Sequence, residues 1–123
     1  MARILLVEDD PVSSKLVTNL LERHGHEVAH VGNGLEAIDR LAVEEFDLLV
    51  TDLMMGRLDG RGLCEWVRGE PSIRTLPILL TTGRLDCAGE PWVDEQQVEV
   101  LEKPIKLRHL LERVAYHTRR TSG

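Results

Sequence analysis

The residues best placed to do chemistry are acids, a hydroxyl and an amine, each standing at the end of an apolar run. Glu8, Asp9 and Asp10 follow "ILLV", Asp52 follows "LLVT", Thr82 and Gly83 close "PILLTTG", and Lys103 follows "VEVLE" and precedes Pro104. Carboxylates forced together repel: two unit charges about 4 Å apart cost roughly 4 kcal/mol at an effective dielectric of about 20. A divalent cation offsets this, and hard oxygen ligands with room for water favour Mg²⁺ over soft metals. A metal beside Asp52 would hold a phosphoryl donor, and Lys103 and the Thr82 hydroxyl would bind phosphoryl oxygens. The carboxylate would then attack in line to give an aspartyl phosphate. Taken alone, Asp9 or Asp10 ahead of Pro11 serves equally well as a helix cap, where a carboxylate meets free backbone N–H groups and the positive end of the helix dipole.

Positioning such residues is the task of the elements between them. Strand-like runs at Arg3–Val7, Glu27–Val31, Asp47–Thr51, Pro77–Thr82 and Val98–Glu102 are separated by connections long enough for crossover helices. Helical periodicity marks Pro11–His24, with Val12, Leu16, Leu20 and Leu21 on one face, and Gly34–Glu44, with Leu35, Ile38, Leu41 and Ala42. It also marks Pro104–Thr118, with Leu107, Leu110, Leu111 and Val114; Pro11 and Pro104 both suit a first helical turn. Strand alternating with helix predicts a mostly parallel sheet covered on both faces. In such sheets ligands bind at the carboxyl ends of strands where the strand order reverses, so the strand-end residues matter most. Between Gly83 and Gln97, "GRLDCAGEPWVDEQQ" has no sustained apolar stripe, which predicts a short or irregular fourth helix.

A chain of 123 residues, 42% hydrophobic and 29% charged, suits one domain with a packed core and is not the composition of a disordered protein. A net charge of −6 argues against direct nucleic acid binding, which relies on Lys and Arg neutralising phosphates. Cys64 and Cys87 are too far apart for a CxxC motif and read as reduced core thiols. The apolar run Ile4–Val7 is too short for a signal peptide or membrane span, so no membrane association and a cytoplasmic location are expected.

In order and spacing, "ILLVEDDP", "GNGLEAI", "LLVTDLMM" with "LDG", "PILLTTG" and "EKP" resemble the receiver domain of two-component response regulators, over essentially the whole chain. The resemblance implies a flavodoxin-like, doubly wound α/β fold with five parallel strands in the order 2-1-3-4-5, as a single domain over residues 1–123. It implies Asp52 as phosphoacceptor, Asp9 and Asp10 as metal-site acids with Asp10 the more direct ligand, and the Met54 carbonyl completing the Mg²⁺ ligands. Thr82 then matches the switch hydroxyl and Lys103 the phosphate-binding amine, with a cis peptide before Pro104. A histidine kinase or phosphotransfer protein would supply the phosphoryl group, and a downstream protein would read it. Such a domain catalyses its own phosphorylation and slow dephosphorylation and is not a turnover enzyme. No effector domain is expected within the chain, which would act alone or as part of something longer.

Two departures stand out: Gly56 where the family usually has Pro, and Val100 where it has an aromatic switch residue. Valine has no ring to move, so phosphorylation would be read through backbone shifts around Thr82–Glu90. The same departure motivates a rival reading, a receiver-like interaction module that binds partners regardless of phosphorylation.

"GNGLEA" at Gly32–Ala37 fits the dinucleotide fingerprint, but the preceding "EVAHV" reads as an edge strand, where the fingerprint requires a central one. His26 and His30, along one extended segment, stand about 13 Å apart, too far to share an ion, and with His24 read as solvated side chains. Trp66, spaced with Leu63 and Val67, is expected against the sheet, and Trp92 tucked under its own loop.

Overall fold

A computed structural model of the chain describes residues 2–53, 58–83 and 90–119. Five strands, β1 (Arg3–Val7), β2 (Glu27–Val31), β3 (Leu48–Asp52), β4 (Ile78–Thr82) and β5 (Glu99–Glu102), alternate with α1 (Pro11–Arg23), α2 (Gly34–Val43), α3 (Gly60–Gly69), α4 (Pro91–Glu95) and α5 (Leu107–Thr118). All neighbouring strands run parallel, in the order β2-β1-β3-β4-β5. The expected strand order is therefore the observed one, and the order reverses between β1 and β3.

The strand sequences explain the layering. Every residue of β3 and β4 is buried, as continuous apolar runs require when helices cover both faces. Alternate residues point to opposite sides. Leu5, Val7, Leu49, Ile78 and Leu80 pack with Leu41 of α2, Leu63 and Val67 of α3 and Trp92 of α4. Ile4, Leu6, Leu48, Val50 and Leu79 pack with Val17 and Leu21 of α1 and Leu110 and Val114 of α5. Cys64 is buried in the first of these clusters, Trp66 lies half-buried against it, and Cys87 falls outside the described residues.

Three helices begin with the same device. Asp10, Asn33 and Asp59 each accept a hydrogen bond from the backbone N–H three residues on, at Ser13, Glu36 and Gly62. Such caps are worth about 1 kcal/mol each. At the far end of α3, Arg68 donates to the carbonyls of Arg74, Leu76, Gln96 and Gln97, tying the loop before β4 to the turn before β5. Burial lowers the pKa of this guanidinium.

Several expected boundaries and faces differ. The α1 stripe that meets the sheet is Ser14, Val17 and Leu21, whereas Val12 and Leu16 are 75% and 52% exposed. At 100° per residue Val12 and Leu16 lie on the far side from that stripe, and the small Ser14 lets the helix close onto the sheet. In α2, Ala37 and Leu41 are buried while Leu35 is exposed, and in α5 Leu107 is exposed beside buried Leu110 and Val114. Pro104 is not in a first helical turn: the Lys103–Pro104 peptide is cis, and α5 begins at Leu107 after a bend that keeps Lys103 at the end of the sheet. The fourth helix is short, as expected, with five residues.

On the outer strand, Glu99 of β5 accepts from Arg113 at 2.5 and 2.7 Å and from His117 at 2.8 Å, pinning α5 to the sheet edge. Burial pushes the Glu99 carboxyl up, but these hydrogen bonds outweigh it and hold the group below the usual carboxylate range. A carboxyl depressed in the folded state contributes stability above its unfolded value of about 4.3 and loses it as pH falls through the lower folded value. Thermal denaturation of Glu99→Gln should therefore show a deficit of about 1 kcal/mol near neutral pH. That deficit should shrink as pH drops below about 4, where the wild-type carboxyl is itself protonated. A deficit that persists undiminished in acid would contradict this account.

Candidate functional site

Three strand ends converge on one cluster. β1 runs out into Glu8, β3 carries Asp52 on its last rung opposite Thr81, and β5 passes through Glu102 into Lys103. The third strand thus starts and ends one residue later than expected, which puts Asp52 within the sheet and only 7% exposed. Lys103 reaches Asp52 Oδ2 with its Nζ at 2.9 Å and Glu8 Oε1 at 3.5 Å. Its own backbone N–H donates to the Thr82 carbonyl at 2.7 Å, continuing the β4–β5 ladder past the last strand residue. Thr82, fully buried, therefore ends the strand next to the one that presents Asp52.

Carboxylate oxygens of Glu8, Asp9 and Asp52 lie within 4.8 Å of one another. Asp9 and Asp52 are brought together as expected, but the third acid is Glu8, 6% exposed, and not Asp10. Asp10 is spent elsewhere. Its carboxylate accepts from the Ser13 hydroxyl at 2.7 Å and the Ser13 amide at 3.2 Å as the cap of α1. These hydrogen bonds, with those from the backbone, hold its pKa below the usual range. The expected placing of Asp10 as the more direct ligand does not match this geometry. The signal that points to Glu8 is its position immediately after the last buried strand residue, which aims it back over the sheet. Met54 lies outside the described residues.

The electrostatics are those of crowded acids around one ammonium. Burial, then repulsion from Asp52, pushes the Glu8 carboxyl up, against the pull of Lys103. Burial alone would lower the Lys103 ammonium, but the hydrogen bond to Asp52 and the attraction of both carboxylates keep it raised. Three acids face a single lysine, and the cluster offers only hard oxygen donors. That donor set suits Mg²⁺, with Glu8, Asp9 and Asp52 as the residues that would hold it.

Glycines brace the backbone around the β3 end. A Cβ on Gly60 would stand 2.6 Å from the Asp52 carbonyl oxygen and 2.8 Å from Leu53 Cα, so the first residue of α3 sits directly on the strand end. Gly60 also donates its N–H to the Leu53 carbonyl at 2.9 Å. A Cβ on Gly34 would stand 2.4 Å from the Leu58 carbonyl oxygen, which gives that glycine of "GNGLEA" a packing reason. β2 is the edge strand, and the Glu36 carboxylate accepts from Asn33 at the start of α2, where a dinucleotide would need its phosphates. The histidines do not converge either: His24 contacts the Leu20 carbonyl and His30 the Glu8 carbonyl. Trp92 is tucked, 5% exposed, with its indole N–H donating to Glu90 at 2.5 Å and Arg61 over its ring at 5.5 Å. Val100 is half-buried against the apolar cluster that contains Trp92. Among the described residues no helix is long and apolar enough to cross a membrane.

Residues 4–115 match the profile of the response regulator receiver domain. The chain is 37% identical over 115 residues to the response regulator receiver protein CpdR of Brucella abortus, covering 93% of this chain and 94% of that one. It is 38% identical over 121 residues, 97% of its length, to the response regulator MprA of Mycobacterium tuberculosis, and spans about half (51%) of that relative. Among solved structures, the signal receiver domain of a histidine kinase from Syntrophus aciditrophicus superposes with a TM-score of 0.88 at 33% identity, over 96% of this chain and 90% of that one. A response regulator from Chloroflexus aurantiacus gives 0.88 at 30% identity, over 95% and 97%.

The geometry of the acids makes a test that needs no phosphate. Without metal, Glu8 is a buried carboxylate against Asp52, with a 3.5 Å contact to Lys103 and a 3.4 Å hydrogen bond from the Asp10 amide in compensation. Glu8→Gln should therefore melt higher than wild type in a chelating buffer, by about 1 kcal/mol, and millimolar Mg²⁺ should narrow or reverse the gap. A Glu8→Gln protein less stable than wild type in chelator would show that Lys103 and the Asp10 amide already compensate the pair.

Proposed function

The chain belongs to the response regulator receiver domain family, and on that premise we propose that Asp52 accepts a phosphoryl group in a Mg²⁺-dependent reaction and thereby switches the binding of a downstream protein. The donor is a phosphohistidine on a histidine kinase or phosphotransfer protein. The observation that carries this is the 2.9 Å contact between Lys103 Nζ and Asp52 Oδ2, made across 51 positions of sequence, at the mouth of a three-carboxylate cluster.

The strand end holds Asp52 rigid for in-line attack. Its carboxylate forms the new P–O bond as the P–N bond to the donor imidazole breaks, and the departing imidazole keeps the electron pair and takes a proton. The Lys103 ammonium exchanges a carboxylate oxygen for a phosphoryl oxygen, staying beside the negative charge throughout. The buried Thr82 hydroxyl, at the neighbouring strand end, is the donor for a further phosphoryl oxygen. Mg²⁺ held by Glu8, Asp9, Asp52 and the Met54 carbonyl would supply charge neutralisation between the acids and the phosphoryl group. Hydrolysis of the acyl phosphate by water resets the domain slowly.

Support for a protein donor lies beside the site. Val12, Leu16 and Leu107 are exposed apolar side chains, and Leu16 and Leu107 line a cleft with Ser13, Ile105, Lys103 and Glu8. An apolar rim next to the nucleophile fits a helical partner carrying the phosphohistidine. The second reading, a module that binds partners irrespective of phosphorylation, is favoured by Val100, which offers no ring to follow Thr82. In the first reading the signal leaves through the backbone of Thr82–Glu90, part of which lies outside the described residues.

With Mg²⁺ and acetyl phosphate, the mass should rise by one phosphoryl group in wild type and not in Asp52→Ala; no Asp52-dependent change would favour the module. Leu16→Glu should leave labelling by acetyl phosphate intact yet slow transfer from a phosphohistidine protein by about tenfold, the ~1.4 kcal/mol of one buried apolar contact. Equal slowing with both donors would place Leu16 in folding and not in docking.

A further inference from the structure

Glu8 lies one residue beyond the end of β1, yet both of its backbone polar groups are engaged by the edge strand. Its N–H donates to the Val31 carbonyl at 3.1 Å, the next rung of the parallel ladder. Its carbonyl lies 2.8 Å from Nε2 of His30. A carbonyl can only accept, so that ring nitrogen carries a proton in whichever charge state the imidazole adopts. The chain bends at Gly32 and Asn33 into the cap of α2, just where the ladder would supply its next donor, and the side chain of His30 reaches across in that role.

The bonded carbonyl belongs to the peptide that joins Glu8 to Asp9, two of the three acids whose oxygens converge with those of Asp52. A peptide unit is planar, so fixing its carbonyl fixes the direction in which the Asp9 Cα leaves Glu8. Repulsion among the three carboxylates pushes that peptide to swing outward, and Lys103 contacts Glu8 and Asp52 from the β5 side. His30 acts from the opposite, β2 side of the sheet.

We propose that His30 is a positioning residue for the cation site: its Nε2–H bond to the Glu8 carbonyl holds the Glu8–Asp9 peptide so that both acids face Asp52 before any ion arrives. This rests on the reading of that cluster as the Mg²⁺ site. His30 touches no reacting atom, and its bond serves both charge states of the ring, so the effect belongs to pre-organisation and not to a titration.

The test uses the intact chain and magnesium chloride alone, by calorimetric titration, with Asp52 labelling by acetyl phosphate as second readout. His30→Ala should weaken Mg²⁺ binding about fivefold, equivalent to one hydrogen bond, and raise the Mg²⁺ needed for half-maximal labelling by the same factor, with the rate at saturating Mg²⁺ retained. His30→Gln, which keeps an amide donor of similar reach, should recover most of the affinity. In wild type, the imidazole ¹⁵N spectrum should show a protonated Nε2, and the Glu8 carbonyl ¹³C resonance should move in His30→Ala. Unchanged Mg²⁺ affinity in His30→Ala, or equal loss in both variants, would overturn the assignment. Wild type that binds no Mg²⁺ would instead overturn the reading of the cluster itself, and this one with it.

Discussion

Like charge held in one place is the constraint that organises this molecule. Glu8, Asp9 and Asp52 come from two strands and converge to within 4.8 Å, an arrangement that water would disperse in an unfolded chain. What keeps them together is the sheet. β1 and β3 are neighbours, buried on both faces by two apolar clusters, and their carboxyl ends cannot separate without breaking a ladder that runs from Ile4 to Val7. Lys103 is delivered from the outer strand β5, through a backbone bond to Thr82, to the open side of the cluster. Hydrophobic burial thus does the holding and electrostatics sets what is held.

Much of this was legible in the primary structure because it depends on period and punctuation. Continuous apolar runs marked β3 and β4, and the residue that follows such a run in a parallel sheet lies at the binding edge, which singled out Asp52, Thr82 and Lys103. What stayed hidden turns on one peptide or one helical rotation. Glu8 and Asp10 are both acids beside Asp9, and only the direction of the chain after Val7 sends one into the cluster and the other to the Ser13 amide. Val12 and Leu16 share a helical stripe with Leu20, but a competing stripe of Ser14, Val17 and Leu21 fits closer to the sheet, and the apolar pair is left outside. Pro104 satisfied the rule for a helix start and instead sits in the bend that aims Lys103. His30 is exposed, as its reading as a solvated side chain expected, and what stayed hidden is its contact with a backbone carbonyl, which no side-chain pattern reports.

The glycines teach a related lesson. Gly34 belongs to a fingerprint that would suggest a phosphate cradle, and Gly60 to a loop motif after the third strand. In the fold both are points where one segment rests on another with no room for a methyl group. Close approach of Gly60 to the Asp52 and Leu53 backbone gives the strand end carrying Asp52 a hard floor, so the carboxylate is fixed by contact as well as by its own strand.

Arg68 adds a mechanical property to the side of the sheet opposite α1 and α5. One planar guanidinium grips carbonyls on either side of β4: Arg74 and Leu76 before it, Gln96 and Gln97 beyond α4. Because the group has several fixed donors and grips carbonyls only, it behaves as a rivet whose hold does not depend on a neighbouring acid changing charge. The loop before β4 and the turn before β5 are therefore clamped to the end of one helix, so a displacement of either must be shared by α3, since neither carbonyl pair can slide past the guanidinium.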